Sequence, residues 1–558
     1  VILASLERLR ALPRLLEIVR TLAHYGMHDL VHSSGLHRVL EGAGHRLGWA
    51  PDEQLAALPP HERLRLALEA LGPAFVKLGQ VLASRVDLLE PEWIASLDCL
   101  HDHASALDFA QLEAQVVADL GKPLAEAFAT FDTAPAAAGS IAQVHRATVP
   151  DGRKVAVKIR RPGVEATIEA DVLLLETLAA WWEEEQPGSR RYQPVELVRH
   201  LRKSLTREVD FAAEARAQNR FAESFRDSTE VVIPAVHAGY TRASLLVMDW
   251  IEGVPATDMA AVDRAGLDRA LLATRGTDAV LKMVLVDGFF HADPHPGNVI
   301  FLEGNRLALI DFGMVGWISA KRRDELVDLL AAVAERDPDA MRNVLLGWAD
   351  GSHVNAERFA EDLGRLLHLY EHAQLREINL GTLLSEIAAV MREQHLLLPA
   401  DLALLFKALI TLEGLGTRLV PHFRLVEHVT PWIRRLLTER WDPRNVAGRF
   451  SGSVREAGRA LRAAPRLIEA LARRFGDDGV AIRLEMREID GFSRHLESSV
   501  NRLTIGMVTA ALILGSSILM SVAYYQHESG EWFFAACGVT IAFVNSLWLI
   551  ATIRRSRR

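Results

Sequence analysis

The segment His291-Ala-Asp293-Pro-His-Pro-Gly-Asn298, followed after a short apolar run by Leu-Ile-Asp311-Phe-Gly313, constrains this chain more than any other. It sets a carboxylate, a side-chain amide and a second carboxylate around what reads as a short strand. Phosphoryl transfer from a nucleotide asks for this donor set: a carboxylate beside the attacking oxygen and hard oxygen ligands that hold Mg²⁺ against the phosphates. Asp-Phe-Gly alone is common, and Asp-Pro and Pro-Gly are ordinary turn dipeptides. A loop H-x-D-x-x-x-x-N leading through a strand into D-F-G is a specific combination. Asp293 is thus expected to orient or deprotonate an acceptor, with Asn298 and Asp311 as Mg²⁺ ligands and ATP as the nucleotide.

Such a loop needs a partner strand carrying a cation. Val155-Ala-Val-Lys158 has the form of the strand whose lysine holds the α- and β-phosphates and pairs with a glutamate on a following helix. Around it the texture is β-rich. SIAQVHRATV (140–149), a turn at Pro150-Asp151-Gly152 and KVAVKI (154–159) predict a hairpin. A further strand pair is expected over 231–240 and 244–253, and a strand ending in a turn over 306–313. Residues 1 to about 130 read as helices broken at Pro59-Pro60, Gly72-Pro73 and Pro91, and 321 to about 421 as helices again. The expected fold class is α+β: a two-lobed, atypical protein-kinase-like fold with a helical N-terminal extension. With 49% hydrophobic and 24% charged residues the chain is no disordered polymer, and a net charge of −9 argues against a nucleic-acid partner. Its two cysteines, Cys99 and Cys537, build neither a disulfide framework nor a zinc site.

Two expected pieces are missing. No G-x-G-x-x-G precedes Lys158; Pro135-Ala136-Ala137-Ala138-Gly139-Ser140 stands there instead. After Asp311 there is no A-P-E, the usual platform for a peptide substrate. Three further motifs complete a pattern: Lys77-Leu-Gly79-Gln80 followed by Ser84-Arg-Val-Asp87, Glu208-Val-Asp210 followed by Glu214, and Gln143-Val-His145. In that order, from about residue 70 to 320, they resemble the UbiB family of atypical kinases. The resemblance implies that Lys158 contacts the phosphates with Glu214 as its ion-pair partner, and that Ala136, Ala137, Ala138, Gly139 and Ser140 lie over the nucleotide. It also implies that Lys77 and Gln80 engage Glu208 and Asp210 in a regulatory lid over the site. Gly139 stands where many members carry alanine, which is expected to loosen the loop by freeing backbone donors. The family's role implies ATP turnover in support of ubiquinone biosynthesis, with quinone-pathway intermediates and biosynthetic proteins as partners. The alternative is a nucleotide-binding scaffold that organises those proteins without turnover.

Near the C-terminus, Leu503–Tyr524 and Trp532–Ile553 carry no charge. Each matches the roughly 20 residues that cross a ~30 Å hydrocarbon core. A polar turn, QHESGE, joins them, and Arg554, Arg555, Arg557 and Arg558 follow, so a transmembrane hairpin with cytoplasmic ends is expected. From Arg444 to Arg474 eight arginines face two acids, Glu456 and Glu469. That stretch reads either as an amphipathic helix on anionic lipid or as a solvated connector. The opening residues interleave Arg and Glu with Leu and read as an amphipathic helix rather than a secretory signal. The expected division is a helical extension with the K-x-G-Q motif (1–130), a small lobe (131–260), a helical large lobe (261–440), an amphipathic connector (441–500) and two transmembrane helices (501–558). The expected location is a bacterial inner membrane, with the soluble part cytoplasmic.

Overall fold

A computed structural model describes residues 12–27, 55, 57–100, 105–349, 354–370 and 379–440. Chain contacts gather Val1–Ala447 into one compact unit and Gly448–Arg558 into another. The expected connector and both uncharged runs lie outside the described residues. Among the described residues no helix is long and apolar enough to cross a membrane.

Helix α1 (Leu12–His24) buries Leu15, Ile18, Val19 and Leu22 on one side, as its Leu spacing predicts. Prolines then mark three helix starts: α2 (Pro60–Leu71), α3 (Pro73–Ala83) and α4 (Pro91–Asp98). A residue with fixed φ and no N–H suits the first turn of a helix. Gly72 joins α2 to α3 at φ 101°, a conformation that a side chain would strain.

Helix α5 (Ala110–Leu120) does not belong with these helices. Its Leu112 and Val116 pack against Val155, Val157 and Leu245 of the small-lobe sheet. Residues 110–120 of the expected helical extension thus pack with the small lobe. Helical periodicity gives a buried face, but it does not say which partner covers that face.

The sheet comprises β1 (Thr130–Phe131), β2 (Ala137–Ala138), β3 (Ala142–Thr148) and β4 (Lys154–Arg160), joined later in the chain by a fifth strand. Helices α6 (Val164–Glu185), α7 (Pro194–Val209) and α8 (Phe211–Ser224) follow β4, and then come β5 (Val231–Val232) and β6 (Leu245–Asp249). The strands run antiparallel in the order β1-β3-β4-β6, with β2 also on β3. Val155, Val157 and Ile159 are fully buried on one face. Alternation along β4 turns Lys158 to the other. Helices α1 to α4 pack on α6 and α7 through Leu15, Leu68, Phe75, Ile168, Val172 and Leu201. Arg14 clasps Asp171 across that interface at 2.8 and 2.9 Å.

The expected strand pair over 231–240 and 244–253 does not form as such. β6 pairs with β4, β5 runs parallel to β10 (Arg306–Leu309), and the two segments meet at an isolated bridge, Val236–Met248, beside the His237–Asp249 contact. Pro234, which has no N–H, interrupts the ladder there. In the large lobe β5, β10, β9 (Val299–Leu302) and β7 (Val254–Pro255) form one sheet, and β8 (Phe289–His291) pairs with β11 (Val315–Trp317). Helices α9 (Arg269–Leu281), α10 (Ala320–Glu335), α11 (Pro338–Trp348), α12 (Ala356–Leu369), α13 (Leu380–Glu393), α14 (Ala400–Leu419) and α15 (Leu425–Arg440) share one apolar core with these strands.

Candidate active site

Lys158 Nζ donates to both oxygens of Glu214, at 2.8 and 2.9 Å, and faces Asp311 Oδ2 at 3.9 Å. Glu214 sits one turn into α8, and its capture requires only that α8 pack behind β4. Burial opposes a charge on Lys158, but Asp311 and Glu214 outweigh it and hold the ammonium above its ordinary pKa. Burial pushes Glu214 upward while Lys158 opposes. Burial likewise disfavours the Asp311 carboxylate, yet Lys158, the Gly313 N–H, His291 and Lys77 bring its pKa down to about 2. The sequence-predicted trio thus assembles.

The loop after β8 is built on His291. Its Nε2 meets the Asp311 carbonyl and its Nδ1 accepts the Asp293 N–H at 3.2 Å, so these partners fix the Nε2–H tautomer. Burial keeps this ring's pKa below 6.5. His291 thereby locks the loop to the D-F-G turn. Phe312, next to Asp311, is buried against Phe221 and anchors the same turn.

The donor chemistry fits Mg²⁺. Asn298 spends its Nδ2 on the Asp293 carbonyl at 3.3 Å, so its amide oxygen is the atom that would meet a cation. Asp311 Oδ1 accepts the Gly313 N–H at 2.8 Å, leaving Oδ2 on the Lys158 side. The antiparallel β9–β10 ribbon brings the two residues together, with Ile310 N–H donating to the Asn298 carbonyl at 3.2 Å. Two hard oxygens from the protein, completed by phosphates, are the usual complement for this ion.

The contacts expected of a lid form in part. Lys77, only 4% exposed on α3, meets Glu208 Oε2 at 2.6 Å as an ion pair. Gln80 and Asp210 do not join it. Gln80 donates to the Leu100 carbonyl at 3.3 Å, while Asp210 caps α8 by accepting the Ala212 N–H and pairs with Arg216. The expectation of a lysine between two carboxylates is corrected to a single pair, because capping α8 turns Asp210 away. Asp87 secures the segment from behind: it accepts two bonds from Arg85, at 2.9 and 2.7 Å, and the Leu398 N–H at 2.8 Å. Arg392 adds bonds to the Val86 and Leu89 carbonyls.

The alanine-rich loop is also tighter than expected. Ala136 N–H bonds the Val144 carbonyl at 2.7 Å, and Ala137 and Ala138 pair with Val144 and Gln143. Gly139 has no left-handed φ, its N–H is taken by the Ala142 carbonyl, and its own carbonyl accepts from Arg161. Glycine there frees no donor, because the turn into β3 consumes it. Ser140 follows in the same turn. Beneath lie the buried Gln143 and His145, whose Nδ1–H donates to the Asp132 carbonyl at 2.9 Å.

One site residue was not singled out from sequence. Lys407, among buried apolar neighbours on α14, is 7% exposed and lies 3.0 Å from Asp98 and 3.9 Å from Asp293. A lone lysine within Leu-Leu-Phe-Lys-Ala-Leu-Ile was the available signal, since a charge on a buried helix face needs a partner.

An antiparallel sheet carrying a lysine–glutamate pair, set over a loop that presents Asp293, Asn298 and Asp311, defines an atypical kinase-like fold. Family comparison agrees. Residues 99–345 match the ABC1 atypical kinase-like domain, 363–424 the UbiB helical domain and 487–555 the ABC1/UbiB kinase-like C-terminal domain. A relative named probable protein kinase UbiB, from Xanthomonas campestris pv. campestris (strain 8004), is 31% identical over 539 residues, covering 94% of this chain and 95% of its own. Another of that name from Marinobacter nauticus is 34% identical over 388 residues, 68% of this chain and 71% of its own. The chain belongs to the UbiB family. A solved complex of Rv3197 with erythromycin from Mycobacterium tuberculosis aligns with a TM-score of 0.43 at 22% identity, over 71% of this chain and 98% of that one.

Proposed function

We propose that this protein binds ATP with Mg²⁺ in the cleft and hydrolyses it, or transfers its terminal phosphate to a small acceptor, at a membrane surface in support of ubiquinone biosynthesis. The observation that carries the reading is the Lys158–Glu214 pair facing Asp311. A lysine held by two hydrogen bonds is aimed rather than mobile, and electrostatic stabilisation at preorganised positions is the main protein contribution to phosphoryl transfer. Lys158 directs its charge at the phosphates. Asp293, fixed through the His291 bond to its N–H, orients the acceptor hydroxyl or water. Asn298 and Asp311 would hold Mg²⁺, which when bound neutralises phosphate charge. The Lys77–Glu208 pair and the loop over 136–140 narrow the cleft, which favours water or a small molecule over a polypeptide.

The quinone role rests on family membership and on relatives named UbiB. Membrane attachment rests on the two uncharged runs and the arginine-rich segment before them. ATP turnover by the purified full chain, with and without anionic liposomes and a phenolic quinone precursor, tests the reading. Turnover should require Mg²⁺ and vanish in Asp293→Asn and Asp311→Asn. Mg·ATP binding without turnover under every condition would favour the scaffold alternative.

A further inference from the structure

Lys407 reaches the site from a part of the chain that the catalytic motifs do not include. Leu402, Ala403, Leu405, Phe406, Ala408 and Leu409 surround it on α14, all buried. A lysine buried there is strongly disfavoured unless a carboxylate answers it. Two carboxylates do: Asp98 Oδ1 at 3.0 Å, from the last residue of α4, and Asp293 Oδ1 at 3.9 Å, from the catalytic loop. The other lysines of the site are committed elsewhere, Lys77 to Glu208 and Lys158 to Glu214. Inside the loop, His295 turns its ring back to accept the Gly297 N–H, and its Nε2 lies 4.0 Å from Asp293 Oδ2. Among the described residues Lys407 is therefore the lysine that faces the Asp293 carboxylate.

We propose that Lys407 is a positioning residue for Asp293: through its ammonium the helical domain sets the aim of the catalytic-loop carboxylate, and Asp98 of α4 draws on the same charge without itself aiming Asp293. This rests on the phosphoryl-transfer reading, in which Asp293 orients the acceptor. The two ion pairs place one charge between three parts of the fold. Removing it frees Asp293 to rotate, and misplacement of a catalytic group by about 1 Å costs on the order of 10²-fold in rate. Asp98 competes for the same ammonium, so losing the Asp98 charge leaves Lys407 to Asp293 alone.

The test is steady-state kinetics of full-length variants with Mg·ATP. Lys407→Met, close in volume, should lower kcat by about 10²-fold while KM for ATP stays unchanged, the pattern of an interaction made only in the transition state. Asp98→Asn should keep or raise kcat. A lysine that merely fills space would be replaced by methionine without change in kcat, and that result overturns the proposal, as does a fall in kcat in Asp98→Asn equal to that of Lys407→Met. If Lys407→Met does not fold, Lys407→Arg decides, because it keeps the charge but moves the donors. Reduced kcat at an unchanged unfolding midpoint supports positioning, and wild-type kcat refutes it. Should the wild-type chain show no turnover, the functional reading fails by itself. Amide hydrogen exchange then judges Lys407. Faster exchange over 293–298 in Lys407→Arg, with 154–160 unchanged, upholds the link, and identical exchange overturns it.

Discussion

Lys158 and Glu214 are 56 residues apart in sequence and meet through two hydrogen bonds, at 2.8 and 2.9 Å, across the back of the cleft. Breaking a buried pair from one side costs about 3–5 kcal/mol, because the abandoned charge stays buried. Lys158→Met should accordingly lower both stability and ATP affinity. Adding Glu214→Leu should restore the urea midpoint without restoring nucleotide binding. Recovery of both would remove Lys158 from the nucleotide site.

The Lys77–Glu208 pair links the extension to α7 and also feeds the field at Asp311. Lys77→Ala and Glu208→Ala should each change turnover, and the double variant should fall short of the sum by between about 0.5 and 3 kcal/mol. Strict additivity in a double-mutant cycle on kcat/KM would show that the two act independently.

Asp87 holds the lid segment to the helical domain, with Arg85 and the Leu398 N–H as its partners. Asp87→Ala strands a buried guanidinium and should cost about 3–5 kcal/mol in chemical denaturation. An unchanged midpoint would mean that the segment is not anchored there.

Burial keeps the rings of His145 and His291 below the ordinary 6.5. The native state then binds fewer protons than the unfolded chain as pH falls, so stability rises with pH across this window. The contribution is complete above 6.5 and is lost as pH drops through the lower folded values. The thermal midpoint at constant ionic strength should decline on acidification from about pH 7 towards 5, the range in which histidine titrates. A flat profile over that range contradicts neutral, buried rings.

Residues up to Ala447 form their own compact unit. A chain ending there should fold, bind Mg·ATP and stay in solution when mixed with liposomes, whereas the full chain should float with them in a sucrose gradient. Flotation of the truncated chain would move the membrane contact into the kinase-like part.

Local sequence determined much of this protein. Proline and glycine punctuation marks the starts of α2, α3 and α4, and alternation in Val155–Ile159 puts Lys158 on the cleft face. The spacing of Asn298 and Asp311 on a hairpin brings the two expected metal ligands together. These are short-range consequences of backbone geometry, legible without knowing any partner. Tertiary structure decided the choice among partners. Asp210, two residues from Glu208, went to a helix cap instead of the lid, because an N-cap satisfies backbone donors on the spot. Gly139 lost its freedom to the turn into β3 and to the Arg161 guanidinium, and α5 chose the sheet over the neighbouring helices. Lys407 carries no motif at all. Its role follows from where α14 packs, and a buried charge takes its meaning from the carboxylates that the rest of the fold sets within reach.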